Sequence, residues 1–175
     1  MRLMRVFVVL FALSALLSAC SQGASTPIDK LTAKEVTPEG LAWYSIDDLD
    51  KMTDLGGKKV LVDMYTSWCG WCKVMDKKTF TDPEVVSYLN EHYVLIKFNA
   101  EQRAPITFKG DTYEWTQRGR NGTNQLALKM MNGRAAYPTL VYLDQNRDVI
   151  KSIAGYKKPD QLLADLRKLE PQPTI

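Results

Sequence analysis

Residues 63–73, Asp-Met-Tyr-Thr-Ser-Trp-Cys-Gly-Trp-Cys-Lys, carry the strongest functional signal in this sequence. They contain two cysteines, Cys69 and Cys72, separated by two residues. An apolar run, residues 60–65, precedes the pair, and a polar, helix-compatible run, residues 73–78, follows it. The pattern predicts a strand that leads into a helix, with the cysteine pair at the junction.

This junction favours reactive cysteines. A cysteine in the first turn of a helix lies beside unpaired backbone N–H groups and the positive end of the helix dipole. Both stabilise the thiolate over the thiol. The position therefore predicts that Cys69 is the nucleophile. Cys72, one turn further into the helix, would be the resolving thiol that releases the substrate from a mixed disulfide.

Two other interpretations of the cysteine pair stay open on the residues alone. A structural zinc site needs four ligands, but the chain has only 3 Cys and 1 His. A purely structural disulfide across so short a loop would remove little chain entropy. The spacing favours thiol–disulfide exchange over both, and we expect neither a metal nor another cofactor.

The run Trp-Cys-Gly-Trp-Cys-Lys, preceded by Val-Asp-Met-Tyr, resembles the active-site segment of thioredoxin-fold oxidoreductases. Thioredoxin itself has proline where this chain has Trp71. The resemblance covers about residues 41–169. It implies an α/β thioredoxin fold, in which helices flank a central mixed β-sheet. It also implies a thiol-disulfide oxidoreductase with a redox-active disulfide between Cys69 and Cys72.

Three further positions are similar to the family pattern. Asp63, six residues before Cys69, resembles the family's buried acid near the resolving cysteine, and Lys97 falls where the family often has a lysine on the neighbouring strand. Tyr137-Pro138 resembles the cis-proline turn that packs against the dithiol. The resemblance implies catalytic roles for the acid and the lysine. It also implies a substrate-binding surface made of Trp68, Gly70, Trp71, Tyr137 and Pro138.

Each of these roles has a simpler alternative. Burial of Asp63 in an apolar strand would raise its pKa, so that its carboxyl group could accept the resolving proton from Cys72. An ordinary ion pair between Asp63 and Lys97 would explain the same residues. A cis Pro138 would let an extended substrate segment pair with the backbone of Tyr137. An ordinary trans turn would not provide that surface.

Residues 1–19 resemble a secretory signal peptide. Arg2 and Arg5 precede an apolar run, residues 6–17, that is too short for a typical membrane span. The following Leu-Ser-Ala-Cys is similar to the lipobox of bacterial lipoproteins. It implies that Cys20 carries acyl chains that anchor the protein to a lipid membrane. A plain signal peptide with a coincidental cysteine is the alternative.

The signal predicts a periplasm-facing lipoprotein of the bacterial cell envelope. Ser21, rather than Asp, follows the lipidated cysteine, which favours the outer membrane over the inner one. Residues 20–39 contain Ser, Thr, Gly and Pro without an apolar period and predict a flexible tether. The thioredoxin-like domain would then span residues 40–170, followed by a short tail, residues 171–175.

Composition limits the other classes of function. With 175 residues and 45% hydrophobic residues, the chain has the size and apolar content of one domain with short extensions. Loss of Arg2 and Arg5 with the signal leaves 21 of the 23 basic residues against 20 acidic ones. This near-neutral balance gives no reason to expect a nucleic-acid partner. We expect a monomer.

The rest of the sequence predicts alternating strands and helices. Ser45, with Asp48 three residues later, resembles a capping box for a helix that would end at Gly56-Gly57. Asp82-Pro83-Glu84 predicts the start of another helix. Further elements are expected at residues 41–44, 93–98, 126–131, 139–143, 149–153 and 159–169.

Residues 100–124 form an insertion relative to a minimal thioredoxin. Residues 106–108 and 112–115 flank Lys109-Gly110-Asp111 and predict a hairpin that precedes the helix leading to the Pro138 turn. Asn121-Gly122 is typical of a turn. The insertion would either shape a rim that selects partners beside the active site or merely decorate an edge.

These observations predict a protein-disulfide reductase. The compartment is oxidising, and the Trp-Cys-Gly start of the motif is typical of reductants of this fold. Its partners would be protein thiols and disulfides of the envelope, together with a membrane electron donor of the thiol-disulfide type. A disulfide oxidase or isomerase is the first alternative. A non-catalytic lipoprotein adaptor with a thioredoxin fold is the second.

Overall fold

The computed structural model describes residues 31–118 and 121–169. A six-stranded mixed sheet with the order β1-β2-β4-β3-β9-β10 lies at its centre. The strands are β1 Glu35–Val36, β2 Ala42–Ser45, β3 Lys59–Tyr65, β4 Tyr93–Asn99, β5 Ile106–Phe108, β6 Asp111–Tyr113, β7 Trp115–Arg118, β8 Asn121–Asn124, β9 Thr139–Leu143 and β10 Val149–Ala154. The helices are α1 Ile46–Leu49, α2 Gly70–Lys78, α3 Pro83–His92, α4 Gln125–Met130 and α5 Pro159–Lys168.

Strands β3 and β4 form the parallel centre of the sheet. β3 pairs with β4 in parallel and with β9 antiparallel, so the sheet is mixed. Both strands are almost entirely buried, because helices cover both faces of the sheet, and this explains their nearly continuous apolar sequences. The predicted α/β fold with helices on both faces is confirmed.

The two faces of the sheet bury separate apolar clusters. Side chains of α1 and α4 pack on one face with Val60, Val62 and Met64 of β3. Side chains of α2, α3 and α5 pack on the other face with Leu61. Because alternate strand residues point to opposite faces, Asp63 lies on the same face as Leu61. The acid is therefore on the side of the sheet that α2 covers.

Four helices begin where the sequence predicts. The Asp82 side chain accepts hydrogen bonds from the N–H groups of Glu84 and Val85 and caps α3. Pro159 is the first residue of α5, and Leu162, Leu163 and Leu166 form its buried stripe. The other two starts are the Cys69 cap of α2 and the beginning of α4.

Helix α1 is shorter than predicted. The capping box of Ser45 and Asp48 is present, but the helix ends at Leu49 and not at Gly56-Gly57. The carbonyl group of Met52 accepts a hydrogen bond from the Arg147 side chain, and the N–H group of Gly56 donates to Asp54. These tertiary and turn contacts take the place of continued helical hydrogen bonds, so the Gly56-Gly57 pair does not mark the end of the helix.

The insertion forms two hairpins, of which the sequence predicted one. The hairpin of β5 and β6 turns at Lys109-Gly110, as predicted. A second hairpin pairs β7 with β8. The interpretation of Asn121-Gly122 as a turn is wrong, because both residues lie in β8. The Trp115 ring occupies the space that a Cβ atom on Gly122 would fill. A glycine at this position therefore lets the ring pack directly against the backbone of β8.

The region expected to be a tether also differs from the prediction. Glu35–Val36 form the edge strand β1 and pair with β2, so the ordered sheet begins before residue 40. The predicted signal peptide, Cys20 and the tail 171–175 lie outside the described residues. No helix within residues 31–118 or 121–169 has the length and apolar character needed to cross a membrane.

Candidate active site

The cysteine pair lies at the N-terminus of α2. Cys69 is the N-cap residue, and its sulfur atom accepts a hydrogen bond of 3.1 Å from the backbone N–H group of Cys72. The two cysteines form a disulfide bond, with their Cα atoms 5.3 Å apart. When the disulfide is reduced, the same N–H group and the N-terminus of α2 favour the thiolate form of Cys69.

Two exposed indoles flank the nearly buried sulfur atoms. Cys69 and Cys72 retain 4% and 3% of their surface. Their neighbours Trp68 and Trp71 are 57% and 61% exposed, although large apolar side chains usually seek burial. The Trp71 ring packs against the ring of Tyr156, with their centroids 5.5 Å apart. An aromatic surface therefore surrounds the disulfide.

The turn before β9 lies beside the disulfide. The Tyr137–Pro138 peptide bond is cis, and Thr139, the next residue, pairs with Met64 near the end of β3. The ring of Tyr137 meets the ring of Trp68 edge-on, with centroids 5.8 Å apart. The structure thus brings the predicted Tyr137-Pro138 turn against Trp68, the residue before Cys69.

Glu101 also contacts the site, and the sequence analysis did not identify it. The indole N–H group of Trp68 donates a hydrogen bond of 3.0 Å to its carboxylate. The side chain of Asn99, the last residue of β4, accepts a hydrogen bond from the Glu101 backbone and so orders the turn. Glu101 therefore fixes the orientation of the indole that precedes Cys69. No local pattern signals this contact, because it joins residues of two different elements.

Asp63 is fully buried in β3, directly opposite Lys97 of β4. The Lys97 ammonium donates a hydrogen bond of 2.7 Å to one carboxylate oxygen, Oδ2. Among the described residues, the other oxygen, Oδ1, has no hydrogen-bond partner. Burial raises the pKa of the Asp63 carboxyl above its ordinary value, although the charge of Lys97 acts in the opposite direction. The carboxyl group thus holds a proton more readily than an exposed aspartate.

A second carboxylate, Asp76, shares the lysine. The Lys97 ammonium also forms a salt bridge with Asp76 of α2, which is 44% exposed. Burial lowers the pKa of Lys97, but Asp63 and Asp76 raise it more, so that the pKa is above its ordinary value and the lysine is charged at neutral pH. Asp76 is not among the site residues predicted from the sequence. The available signal was its position four residues after Cys72, on the same side of α2.

Aromatic rings surround the lysine of this cluster. The ammonium group lies 4.8 Å from the ring centroid of Trp43 and 5.5 Å from that of Phe80. Such contacts stabilise a cation. A cavity of about 210 Å³ reaches Lys97 and Asp76 from the side of β1. Within the described ranges, no group of three or more His, Cys, Asp or Glu side chains could hold a metal ion.

Comparison with known proteins places this arrangement in a family. A family model described as a thioredoxin-like domain matches residues 47–170. The chain belongs to the thioredoxin-like family. A solved thioredoxin from Thermus thermophilus superposes with a TM-score of 0.53 at 19% identity, covering 74% of this chain and 86% of that one. This likeness supports the fold alone.

Several curated relatives of this thioredoxin-like chain have the same name, thiol:disulfide interchange protein DsbD. The protein of Haemophilus ducreyi is 31% identical over 79% of this chain and 22% of its own length. That of Actinobacillus pleuropneumoniae is 48% identical over 69% of this chain and 18% of its own length, and that of Escherichia coli K12 is 36% identical over 73% and 20%. The chain spans about a fifth of the length of these relatives.

The family, the relatives and the cysteine geometry agree on the class of chemistry. Cys69 and Cys72 occupy the strand-to-helix junction between β3 and α2 of a thioredoxin-like domain and are close enough to form a disulfide. The relatives are thiol:disulfide interchange proteins by name. This chain is a thioredoxin-like domain whose cysteine pair is placed for thiol–disulfide exchange.

Proposed function

We propose that this protein reduces disulfide bonds of exported proteins at the bacterial cell envelope. The Trp-Cys-Gly start of the motif supports the reductive direction, and the capping contact between the Cys72 N–H group and the Cys69 sulfur atom supports Cys69 as the nucleophile. This contact gives the reduced Cys69 a ready hydrogen-bond donor and the field of the α2 N-terminus, so the thiolate forms readily. Cys69 is the nucleophile and Cys72 is the resolving thiol.

The reaction proceeds by two exchanges. The Cys69 thiolate attacks one sulfur of a substrate disulfide, forms a mixed disulfide and releases the other substrate sulfur as a thiolate, which takes up a proton. The deprotonated Cys72 then attacks Cys69, forms the Cys69–Cys72 disulfide and releases the second substrate thiolate, which is likewise protonated. Two electrons pass from the protein to the substrate. A membrane thiol–disulfide donor returns two electrons to the disulfide and completes the cycle.

Asp63 and Lys97 assist the second exchange. Cys72 must lose its proton before it attacks, and a general base with a raised pKa suits that step. The carboxyl group of Asp63 meets this requirement, since burial raises its pKa and its Oδ1 atom is not bonded to Lys97. The Asp63 carboxylate is negatively charged before it accepts the proton of Cys72, and the Lys97 ammonium offsets that charge.

The exposed aromatic surface receives the protein substrate. Trp68 and Trp71 flank Cys69, with Gly70 between them and the turn of Tyr137 and Pro138 alongside. An extended substrate segment lies against this turn and pairs with the backbone at Tyr137. The two indoles cover its apolar side chains, which explains why they are exposed in the free protein.

Anchoring through Cys20 keeps the domain facing the periplasm. The sequence of residues 1–20 supports this part of the proposal, and Ser21 supports the outer membrane. Replacement of Cys20 by Ser is expected to move the protein from the membrane fraction to the soluble periplasmic fraction. Because an uncleaved signal would also hold the protein in the membrane, the result that would contradict lipid anchoring at Cys20 is incorporation of labelled palmitate into the Cys20→Ser protein.

Reduction of insulin tests the activity. With dithiothreitol as electron source, the wild-type domain is expected to accelerate precipitation of the insulin B chain well beyond the reagent alone. The Cys69→Ser variant is expected to show only the background rate. Equal rates for the two proteins would contradict the proposed reductase activity and favour a non-catalytic adaptor.

Trapping identifies the substrates. In the Cys72→Ser variant, Cys69 can form the mixed disulfide but no thiol resolves it. Envelope proteins held on this variant and released by reducing agent are the expected clients. The Cys69→Ser variant is the matched control, since it retains Cys72 but lacks the proposed nucleophile.

A further inference from the structure

A groove runs from the active-site aromatics to the second inserted hairpin. Its cavity has a volume of about 320 Å³. Trp68 and Tyr137 line the end near the disulfide, Arg118 and Thr123 of the hairpin line the opposite wall, and Leu128 contributes an apolar surface. The hairpin of β7 and β8 is therefore one wall of a surface that begins beside Cys69.

Direct contacts join this hairpin to the active site. A hydrogen bond links the side chain of Thr123 to the hydroxyl group of Tyr137, and the Tyr137 ring packs edge-on against Trp68. The backbone N–H group of Asn124 donates a hydrogen bond of 2.8 Å to Ala100. The groove is thus continuous with the surface on which the substrate cysteine must lie.

The base of the hairpin is well packed. The Trp115 ring covers Gly122 on the paired strand, within 2 Å of where a Cβ atom would stand. The guanidinium of Arg103 lies 4.6 Å from the centroid of the same ring. These contacts fix the hairpin relative to the turn after β4. A wall held in this way can select among partners, because its position does not depend on the partner.

Among the described residues that line the groove, two carry charge, and their environments differ. The carboxylate of Glu101 accepts the indole N–H group of Trp68, so part of its hydrogen-bonding capacity is used within the protein. Arg118 stands on the hairpin wall with an exposed side chain. Its guanidinium has five N–H donors suited to a carboxylate. The groove therefore complements an acidic segment with some apolar character.

We propose that this groove binds an acidic, extended segment adjacent to the reactive cysteine of the partner protein, and that Arg118 determines this preference. The inference rests on the proposed reductase function and specifies its partners. It assigns the insertion of residues 100–124 a role in partner selection. The partner's cysteine lies at Cys69, and its flanking acidic side chains lie along the hairpin.

Matched peptide disulfides test the preference. Each acidic substrate is a symmetric disulfide dimer of a peptide that has a single cysteine, with Asp and Glu on one side of that cysteine. The matched neutral substrate has Asn and Gln at the same positions. Two such pairs place the acids before or after the cysteine. The pre-reduced protein is mixed with each dimer, and the thiol released in a single turnover is timed.

The expected result is that acidic peptides react faster than neutral ones when their acidic residues lie on one particular side of the cysteine. One exposed ion pair gives a rate ratio of about two- to fivefold over the neutral peptide. The Arg118→Glu variant is expected to abolish or reverse the ratio. Added salt is expected to reduce the wild-type ratio, because exposed charges are screened.

Lys168→Glu is the matched control. It changes the charge by the same amount at another exposed position. Lys168 lies next to Leu169, whose carbonyl group accepts a hydrogen bond from Lys59 at the start of β3, whereas the cysteine pair follows the end of that strand. The control is expected to keep the wild-type ratio. Equal rates with acidic and neutral peptides, or an unchanged ratio in Arg118→Glu, would overturn the inference.

A binding measurement separates this inference from the reductase proposal. The oxidised protein is titrated with the acidic peptide in which Ser replaces Cys, and the change in tryptophan fluorescence, to which Trp68 of the groove contributes, reports binding without electron transfer. Binding that Arg118→Glu weakens supports the groove even if no peptide is reduced, which would overturn only the reductase. A basic peptide that binds more tightly would show that Glu101 dominates and overturn the inference. Faster reduction of oxidised glutathione than of any peptide would do the same.

Discussion

Asp63 is the buried ionisable residue on which the proposed general-base step depends. It is a fully buried carboxyl group on the face of the sheet that α2 covers. Lys97 is its cation, and Asp76 competes for the same ammonium group. Burial raises the pKa of the Asp63 carboxyl, Lys97 lowers it by its charge and its hydrogen bond, and the charge of Asp76 adds a smaller increase, so the pKa stays above its ordinary value. Two predictions follow from this balance.

Replacement of Asp63 by Asn is expected to slow the attack of Cys72 on the mixed disulfide by about 100-fold, the usual size of a lost general base. In the wild type the rate constant is expected to fall as the pH drops through the raised pKa of Asp63. The variant lacks this dependence. Timing the release of substrate thiol from a preformed mixed disulfide measures the step, and unchanged rates would remove the acid from the mechanism.

The same replacement is expected to stabilise the fold at neutral pH by on the order of 1 kcal/mol, because the cost of ionising the buried acid is removed while Lys97 keeps its salt bridge with Asp76. The folded-state pKa of Asp63 is above the unfolded value of 3.8, so ionisation costs folding free energy at high pH. That cost disappears as the pH falls through the folded pKa towards 3.8, where both states are protonated. Tm measured against pH should show the gap between variant and wild type closing on acidification.

Asp76→Asn is the control for both experiments. It removes a carboxylate from the same lysine but at an exposed position, where an ion pair contributes at most about 1 kcal/mol. A gain in stability from Asp76→Asn as large as that from Asp63→Asn would contradict the assignment of the cost to burial.

The side chain of Trp71 is expected to contribute to docking of the protein substrate. Its exposed ring packs only on Tyr156 among the described aromatic pairs. Trp71→Ala is expected to lower kcat/KM for a protein disulfide by about tenfold, the effect of one interface hot spot. Reduction of the protein's own disulfide by dithiothreitol should change little. An equal loss with both reagents would place the effect on the disulfide itself and not on docking.

Among the elements, α2 and the hairpin of β7 and β8 define the active site together. α2 presents the Cys69 sulfur at its N-terminus, and the hairpin supports Tyr137 through Thr123. The two lie on opposite sides of Trp68, which Glu101 holds. The reactive sulfur atom and the surface beside it therefore come from separate elements that can be altered independently.

Gly122→Ala is expected to disrupt the hairpin. The new Cβ atom would lie 1.8 Å from the Trp115 ring, so the ring must leave its place, at a cost of about 1–3 kcal/mol. The fluorescence of the tryptophans and the free energy of unfolding measure this effect. Gly70→Ala is the control for stability, since a Cβ atom there meets nothing within 4 Å. Equal stability of the two variants would contradict the packing described for Trp115.

For the whole molecule, the direction of electron flow is set by the equilibrium between the dithiol and the disulfide. A reductase is expected to have a redox potential near that of thioredoxin, about −270 mV. A potential near −120 mV, typical of strong oxidants of this fold, would overturn the reductase and support the oxidase. Equilibration of the Cys69–Cys72 pair against glutathione buffers gives this value.

Much of the fold could be predicted from local sequence. The junction around Cys69, the cap at Asp82 and the stripe of α5 depend on interactions within a few residues. The length of α1 was overestimated because the segment after Leu49 forms turn hydrogen bonds and because Met52 binds the side chain of Arg147, which is far along the chain. The strand β8 was missed because Asn-Gly is usually a turn, whereas here the glycine admits the Trp115 ring.

The sequence by itself determined the chemistry of this protein, because two cysteines at a strand-to-helix junction need only the local backbone to become reactive. The tertiary structure alone decided their surroundings. It placed Asp76 on Lys97, Glu101 on Trp68 and the inserted hairpin on Tyr137. Each of these contacts joins residues that are distant in the chain, and their approach depends on how the helices and hairpins pack on the sheet.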